Sequence, residues 1–443
     1  MSAPASDLAR LFAGPPLPVP GAGGEPPWLA ERRDRARAAL ERAELPTEAE
    51  EDWRYSRIGD LDIASFAGAA PAVSPGAAAE LEQVAAAVGA PAGVAGVVRT
   101  RDGRIVAVGL GEEAARLGVE VVSGTSLGDE PAHLGELIAP RSDAFTLVAD
   151  AAGADVVVVS LPADRRLPAP LVVLHELCDE GIAFPRTLVV AGDGSAASVV
   201  EVVASGPGHR LVVPVVELAL GAGVELAYSS IQQLGAGTWQ LGYRASRLGA
   251  AASLRSFSAA LGGEYARQLD SCVLAGERAT SELLAVYFGR ERQVQDLRTF
   301  QEHTAARTRS ELVFKGAVAD EARAVYSGLI GMRRGAVKAD ASQTNRNLVL
   351  SQGAHADSVP NLEIEENDVR CSHASAVGPI DPDQLFYLGS RGVPPDAATR
   401  LILLGFFDDL LARVAEAGVG AYLRAAIAGR VTARAVLPAP SAA

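Results

Sequence analysis

The sequence predicts a mainly β protein with helical flanks, built around a long stack of short strands. Between Asp155 and about Ala376 many short β-prone runs follow one another, such as VVVVSL and LVVPVVELAL. Later runs alternate apolar and polar residues, as strands with one buried face do. Glycines return at intervals of 12 to 14 residues, at Gly223, Gly235, Gly249, Gly262, Gly276 and Gly289. Evenly spaced turns between short strands favour stacked repeats, either a parallel β-helix or a large sandwich.

The first 150 residues predict a mixed, mainly helical region. Residues 15–27 are rich in proline and glycine, which indicates a flexible start. A helix is expected over residues 29–45 and another near residues 79–88, because apolar residues return there at helical spacing. The segment EDWRY, residues 51–55, lies between the two helices, and short β-like runs follow before residue 150.

The chain returns to helix near its end. Asp381 followed by Pro382 is a favourable N-cap and first helical residue, and Gly392 would end this helix. A second helix is expected from Pro395 to about Ala417. Its apolar stripe, which either packs on its own domain or docks a partner, comprises Leu403, Phe407, Leu410, Leu411 and Val414. The predicted organisation is a helical region over 1–150, a β core over 151–378 and a C-terminal helical region over 379–443.

Composition and charge exclude several classes of protein. The 443 residues are 49% hydrophobic and 21% charged, which is typical of a folded soluble protein. A formal charge of −14 disfavours non-specific binding to nucleic acid or to anionic membranes. The three cysteines are too few and too scattered for a disulfide framework, and we find no signal-peptide pattern and no long apolar span. We therefore expect a cytoplasmic protein.

The sequence also lacks familiar catalytic motifs. It has no GxxxxGK[ST] phosphate loop, no HExxH and no paired CxxC. Residues 124–128 fit the GxSxG pattern of hydrolases, and residues 109–114 fit the GxGxxA form of the dinucleotide fingerprint. In a glycine-rich chain both are expected to be chance matches that form ordinary turns. The prediction is a non-catalytic protein without ATPase activity of its own.

One group of residues suits metal and sulfur chemistry. Cys371 and His373 flank Ser372 after the acidic run LEIEENDV, and in a strand the two would share one face. A thiolate and an imidazole ligate iron, zinc or copper, but two ligands do not complete a site, so a metal role would need ligands from another chain. The alternative is a buried thiol beside a hydrogen-bonded imidazole. Cys178 and Cys272 lie in apolar strand contexts and are expected to be buried.

The segment PNLEIEENDVRCSHASAVGPIDPDQLFYLGSRG, residues 360–392, resembles the C-terminal signature of the SufB/SufD family. The EDWRY segment and residues 268–289 and 315–330 are also similar to that family. The form Asp-Val-x-Cys-Ser-His resembles the SufD subgroup, whereas SufB has a glutamate-containing sequence there. One departure is Ala374, where the family usually has glycine. The change would matter if that position needed a positive φ.

The resemblance implies a right-handed parallel β-helix core and a scaffold role in iron–sulfur cluster assembly. It implies pairing with a SufB-like subunit through the β-helix and docking of a SufC-like ATPase on the C-terminal helices. The candidate contacts for that ATPase are Phe406, Phe407, Leu410 and Leu411.

The resemblance also implies a transient iron–sulfur cluster, or iron, at the SufB–SufD interface, with His373 and Cys371 as candidate ligands. The family complex is associated with reduced flavin, but no motif here indicates a flavin site. Two alternatives stay open. The chain would be a SufB-like scaffold acting as a homodimer, or a purely structural protein that positions SufB and SufC without touching metal.

Overall fold

The computed structural model is mainly β, with 42% strand against 24% helix, and its core is a β-solenoid of about eight turns. It describes residues 25–66, 76–89 and 93–431, so most of the predicted proline- and glycine-rich start lies outside the described residues. The predicted fold class of a stacked β core with helices near both ends is therefore confirmed.

Helices flank the solenoid on both sides in sequence. They are α1 (Pro27–Leu40), α2 (Ile63–Phe66), α3 (Gly76–Gly89), α4 (Glu112–Arg116), α5 (Ala144–Ala152), α6 (Pro382–Ser390), α7 (Pro395–Leu411) and α8 (Ala417–Arg430). The early strands are β1 (Gly96–Arg101), β2 (Arg104–Leu110), β3 (Glu120–Ser123), β4 (Val157–Leu161), β5 (Leu171–Leu177), β6 (Gly181–Ala183), β7 (Arg186–Ala191), β8 (Ala196–Ser205), β9 (Arg210–Val212) and β10 (Val215–Leu220). The later strands are β11 (Glu225–Gln233), β12 (Thr238–Leu248), β13 (Ser253–Ala260), β14 (Tyr265–Leu274), β15 (Thr280–Gly289), β16 (Val294–His303), β17 (Arg309–Val318), β18 (Arg323–Met332), β19 (Asp340–Val349), β20 (His355–Ile364) and β21 (Arg370–Gly378).

The later strands alternate between two parallel sheets, which we call sheet A and sheet B. Sheet A contains β11, β13, β15, β17, β19 and β21, and sheet B contains β10, β12, β14, β16, β18 and β20. In sheet A, Glu225 pairs with Ser253 and Ser253 pairs with Thr280, so one coil takes about 28 residues and contributes one strand to each sheet. The glycine interval in the sequence is about half this length because each coil has two corners. Because all these strands pair in parallel, the fold is a β-helix and not a sandwich.

The regular glycines lie at these corners, where neighbouring coils approach closely. A methyl group at Gly276 would overlap the backbone of Ala250 in the preceding coil. At the opposite corner, a methyl group at Gly262 would overlap the backbone of Leu234. Close stacking therefore requires glycine at both positions, and alternate glycines of the sequence pattern belong to opposite corners.

The solenoid interior is a continuous apolar core. Leu254 and Leu283 of sheet A pack in the same buried cluster as Leu218 and Leu274 of sheet B. Because the side chains of each strand alternate, the intervening residues face outward and need a separate cover. The two flanking regions supply it.

Most of the N-terminal region covers the outer face of sheet B, whereas α3 packs with α8 on the outer face of the other sheet, against β5 and β8. Trp53 is buried against Phe145 of α5, and the guanidinium of Arg267 lies 3.9 Å from the centre of the Trp53 ring. Arg267 also donates to the carbonyl oxygen of Asp52 at 2.8 Å, and Arg298 donates to that of Arg54 at 2.6 Å. The EDWRY segment is thus held against the solenoid by two buried arginines.

The sheets begin well before residue 151, the predicted start of the β core. Strand β1 pairs in parallel with β5 and forms an antiparallel hairpin with β2. Strand β3 likewise pairs antiparallel with β4. At the N-terminal end of the solenoid, each sheet therefore finishes with one antiparallel strand.

The C-terminal helices cover the outer face of sheet A. The Asp381 side chain accepts a hydrogen bond from the Asp383 backbone at 2.9 Å and caps α6, as predicted, and Gly392 follows that helix with a positive φ of 81°. The predicted helix from Pro395 to about Ala417 is confirmed at its start, but its predicted end is wrong, because α7 ends at Leu411 and a separate helix, α8, begins at Ala417. In the intervening turn, the Glu416 carboxylate accepts a hydrogen bond from Ser229 of sheet A at 3.2 Å.

Candidate functional site: the open end of the solenoid

The last two strands leave the solenoid uncapped. Strand β20 ends sheet B and pairs only with β18, while β21 ends sheet A and pairs only with β19, within the described part of the chain. Their inner faces are therefore not covered by another coil. Ile364 is 51% exposed and Val377 is 45% exposed, whereas Met332 and Phe314, which face inward from β18 and β17, are buried. This open end presents two unpaired strand edges and an apolar inner surface.

The structure places Cys371 and His373 together on β21, as the sequence predicted. Cys371 pairs in register with Ala341 and His373 with Gln343, so both candidate ligands stack on the inner face of sheet A. Ala374 keeps the regular register and has no positive φ, so the absence of glycine there causes no backbone strain.

The environment separates the two candidate ligands. Cys371 is partly buried against Ile330 and Met332. Burial, with a smaller contribution from the charge of Asp340, raises the pKa of the Cys371 thiol to about 11. It is therefore protonated near neutral pH, and only a bound metal would displace the proton.

His373 is exposed at the open end and has no hydrogen-bond partner among the described residues. No group of three or more histidine, cysteine, aspartate or glutamate side chains that could hold a metal ion occurs within the described ranges. The donor types at this end fit iron and sulfur chemistry, but their number is too small for a complete site.

Polar contacts around the open end join its two strands and neutralise its acidic residues. Ser375 of β21 donates to Ser358 of β20 at 2.8 Å. Arg333 contacts Glu302, Glu363 and Glu365 at 2.6 to 3.0 Å. The acidic run before Cys371 is therefore partly paired within the chain.

The predicted docking residues of α7 do not form a free surface. Phe407, Leu410 and Leu411 are buried against sheet A and the neighbouring helices. Phe406 is half-buried, with the Lys315 ammonium 4.9 Å from its ring centre. The stripe predicted from the sequence is thus the face by which α7 packs on its own solenoid, and three of the four candidate contacts are inaccessible to a partner.

Sequence reasoning missed the large apolar side chains that these helices do expose. Phe386 and Tyr387 of α6 are 77% and 58% exposed, and Leu401 of α7 is 56% exposed. Both aromatics lie in the LFYL part of the family signature, which is the signal that would have singled them out.

The other singled-out motifs have no catalytic setting. Residues 124–126 form a short 3-10 turn after β3, and the Ser126 hydroxyl donates to the carbonyl oxygen of Ser123. Residues 109–114 join a hairpin strand to the five-residue helix α4. Cys178 and Cys272 are buried, as predicted, and none of the three cysteines forms a disulfide.

Comparison with known proteins decides the family. The family model described as SUF system FeS cluster assembly, SufBD core domain, matches residues 175–406. The chain belongs to the SufB/SufD family of iron–sulfur cluster assembly proteins. Within that family it is SufD-like, since it is 28% identical to the iron–sulfur cluster assembly protein SufD of Escherichia coli over 409 residues, which cover 88% of this chain and 90% of that protein.

Two further relatives match over shorter stretches. An iron–sulfur cluster assembly SufBD family protein of Mycobacterium tuberculosis is 40% identical over 190 residues, 41% of this chain and 48% of that protein. SufD of Bacillus subtilis is 29% identical over 267 residues, 60% of this chain and 61% of that protein. The chain thus matches about half the length of the mycobacterial relative. Among the described residues, no helix is both long and apolar enough to cross a membrane.

Proposed function

We propose that this chain is a scaffold subunit that pairs with a SufB-like subunit, docks a SufC-like ATPase and supplies one ligand to a shared site of cluster formation. The observation that carries the proposal is the open end of the solenoid. An exposed imidazole, His373, lies there beside two unpaired strand edges, and the described part of the chain brings too few ligands together to hold iron.

Pairing through this end follows from its chemistry. An exposed strand edge has free N–H and C=O groups that another strand satisfies by adding to the sheet. The exposed Ile364 and Val377 would be covered by the same event. A partner with a similar open end would extend both sheets and close both cores.

At the joined ends, the nascent cluster or iron is the substrate that the two subunits hold between them. The neutral imidazole of His373 would donate a nitrogen lone pair, and the partner would complete the ligand set. Cys371 adjoins this position, but its protonated and partly buried thiol makes it the weaker ligand.

The ATPase contact is assigned to the exposed side of the C-terminal helices. Phe386 and Tyr387 form an apolar aromatic pair there, the kind of anchor that stabilises protein interfaces. Lys315 of sheet A donates to Asp409 and to the carbonyl oxygen of Phe406 in α7 at 2.7 and 2.8 Å. A force applied to these helices would therefore reach the solenoid directly.

The experiment is reconstitution of the complex with His373→Ala, followed by iron and sulfide analysis. We expect the variant to assemble normally with both partners and to lose most of its cluster. Cys371→Ala should lose less, because burial accounts for that thiol. His355→Ala is the matched control, since His355 is also an exposed imidazole on a terminal strand.

Normal cluster content in the His373→Ala complex would contradict a ligand role. It would favour the alternative in which the chain only positions its partners. Cluster formation by this chain alone as a homodimer would instead support a SufB-like scaffold.

A further inference from the structure

We infer that Gln343 positions the imidazole of His373 by accepting a hydrogen bond from one ring nitrogen, which turns the other ring nitrogen toward the partner. The inference rests on the proposed role of His373 and deepens it by naming a positioning residue. It gives a role to the buried oxygen of Gln343, which has no other partner among the described residues.

Register places the two side chains next to each other. Gln343 of β19 pairs with His373 of β21, so both project inward from the same position of consecutive coils. In-register parallel strands bring such side chains about 4.8 Å apart along the stack. Nothing lies above His373 in the described chain, so Gln343 is its direct neighbour within the column.

The far end of Gln343 is fixed by the opposite sheet. Its amide nitrogen donates to the carbonyl oxygen of Gly328 at 3.4 Å. Gly328 provides the room: a methyl group there would lie 2.5 Å from Gln343 Nε2 and 2.7 Å from both the Thr299 hydroxyl and the Tyr326 hydroxyl. Only the nitrogen of an amide can donate to a carbonyl, so the side-chain oxygen of Gln343 takes no part in this hydrogen bond.

That oxygen is buried and unpaired. Gln343 is 1% exposed, and its Oε1 has no hydrogen-bond partner among the described residues. A buried acceptor left unsatisfied costs about 1 to 3 kcal/mol. His373, one coil further on, has an N–H donor and no partner among the described residues, so each residue supplies what the other lacks.

A bond from either ring N–H to Gln343 fixes the tautomer and leaves the other ring nitrogen as the accessible one. Histidine ligands commonly donate their second N–H to a carbonyl or carboxylate oxygen, which orients the ring for the metal.

The experiment uses nitrogen NMR of the full chain labelled with ¹⁵N-histidine, at a pH where the imidazole is neutral. His373→Ala identifies the signal. We expect wild type to show a single tautomer and Gln343→Leu to show a mixture of the two. Gln343→Glu should retain the single tautomer, because its carboxylate can accept the same bond. Gln301→Leu is the matched control, since Gln301 is buried with both amide atoms unpaired but does not stack on His373.

A wild-type signal averaged over both tautomers, or a Gln343→Leu spectrum identical to wild type, would overturn the inference. If Gln343→Leu does not fold, the wild-type and Gln343→Glu spectra decide. In the assembled complex, Gln343→Leu should weaken Fe²⁺ binding about ten- to a hundredfold. A single-tautomer signal together with normal cluster content in the His373→Ala complex would refute the proposed function and leave the imidazole–amide contact standing.

Discussion

His373 and Cys371 lie two residues apart on one strand face, but their surroundings give them different chemistry. The thiol packs against the last apolar cluster of the solenoid, and burial raises its pKa to about 11. The imidazole lies beyond that cluster and is exposed. Alternation along a strand predicts the shared face from sequence alone. It does not predict the difference in burial, because that depends on β21 being the final coil.

A buried histidine elsewhere in the solenoid, His303, should make the folded protein less stable at acidic pH. His303 is buried with both ring nitrogens bonded, to Thr308 and Ser310 at 2.8 Å each, and burial lowers its pKa to about 4. Its contribution to stability is complete above the unfolded pKa of about 6.5 and is lost as the pH falls through 4.

At pH 5 the loss should reach about 2 kcal/mol relative to pH 7. His303→Gln removes the titrating group, so its melting temperature should fall less than that of wild type between those two pH values. His355→Gln, which changes an exposed imidazole, should behave like wild type. Equal pH dependence in the His303→Gln and wild-type proteins would contradict the expectation.

An apolar stripe on a helix can be predicted from sequence, but the sequence does not reveal what that stripe packs against. The periodicity of α7 was sufficient to identify its buried face, including Phe407 and Leu410. The same pattern suits internal packing and partner docking equally well, and only the position of sheet A distinguishes them. The exposed pair on the short helix α6 has too few turns to form a periodic signal.

We therefore expect the SufC-like ATPase to bind the exposed aromatic side chains of α6. The double variant Phe386→Ala and Tyr387→Ala should weaken binding of the SufC-like ATPase about thirtyfold or more, the scale of an interface anchor worth about 2 kcal/mol. The melting temperature should not change, because both side chains are exposed. Leu401→Ala is a control with an exposed apolar side chain on the neighbouring helix. Titration calorimetry measures the effect, and unchanged affinity of the double variant would move the docking surface elsewhere.

In the whole molecule, the two ends of the solenoid differ in strand direction. At the first end β2 and β3 run antiparallel to their neighbours, whereas the last end finishes in the parallel strands β20 and β21. Each of these terminal strands is paired on one side only within the described chain. The glycine interval predicts stacked coils, but it contains no information about strand direction at the two ends.

The open end should consequently control pairing. Val377→Lys places a charge on the exposed inner face and should prevent association with the SufB-like subunit, because a joined core would bury that charge without a partner. Val106→Lys is the matched control, since Val106 is as exposed but lies on β2 near the other end. Gel filtration of the mixed subunits reports the outcome, and a Val377→Lys chain that still pairs would exclude this end as the interface.

The corner glycines also fix the spacing between neighbouring coils. Each coil of about 28 residues advances the stack by one inter-strand step of about 4.8 Å, and neighbouring coils cannot separate or tilt without losing that spacing. The distance along the solenoid from the helices on sheet A to His373 is therefore a multiple of the coil spacing. Insertion or deletion of one complete coil would change that distance by about 4.8 Å and leave the inward direction of the imidazole unaltered.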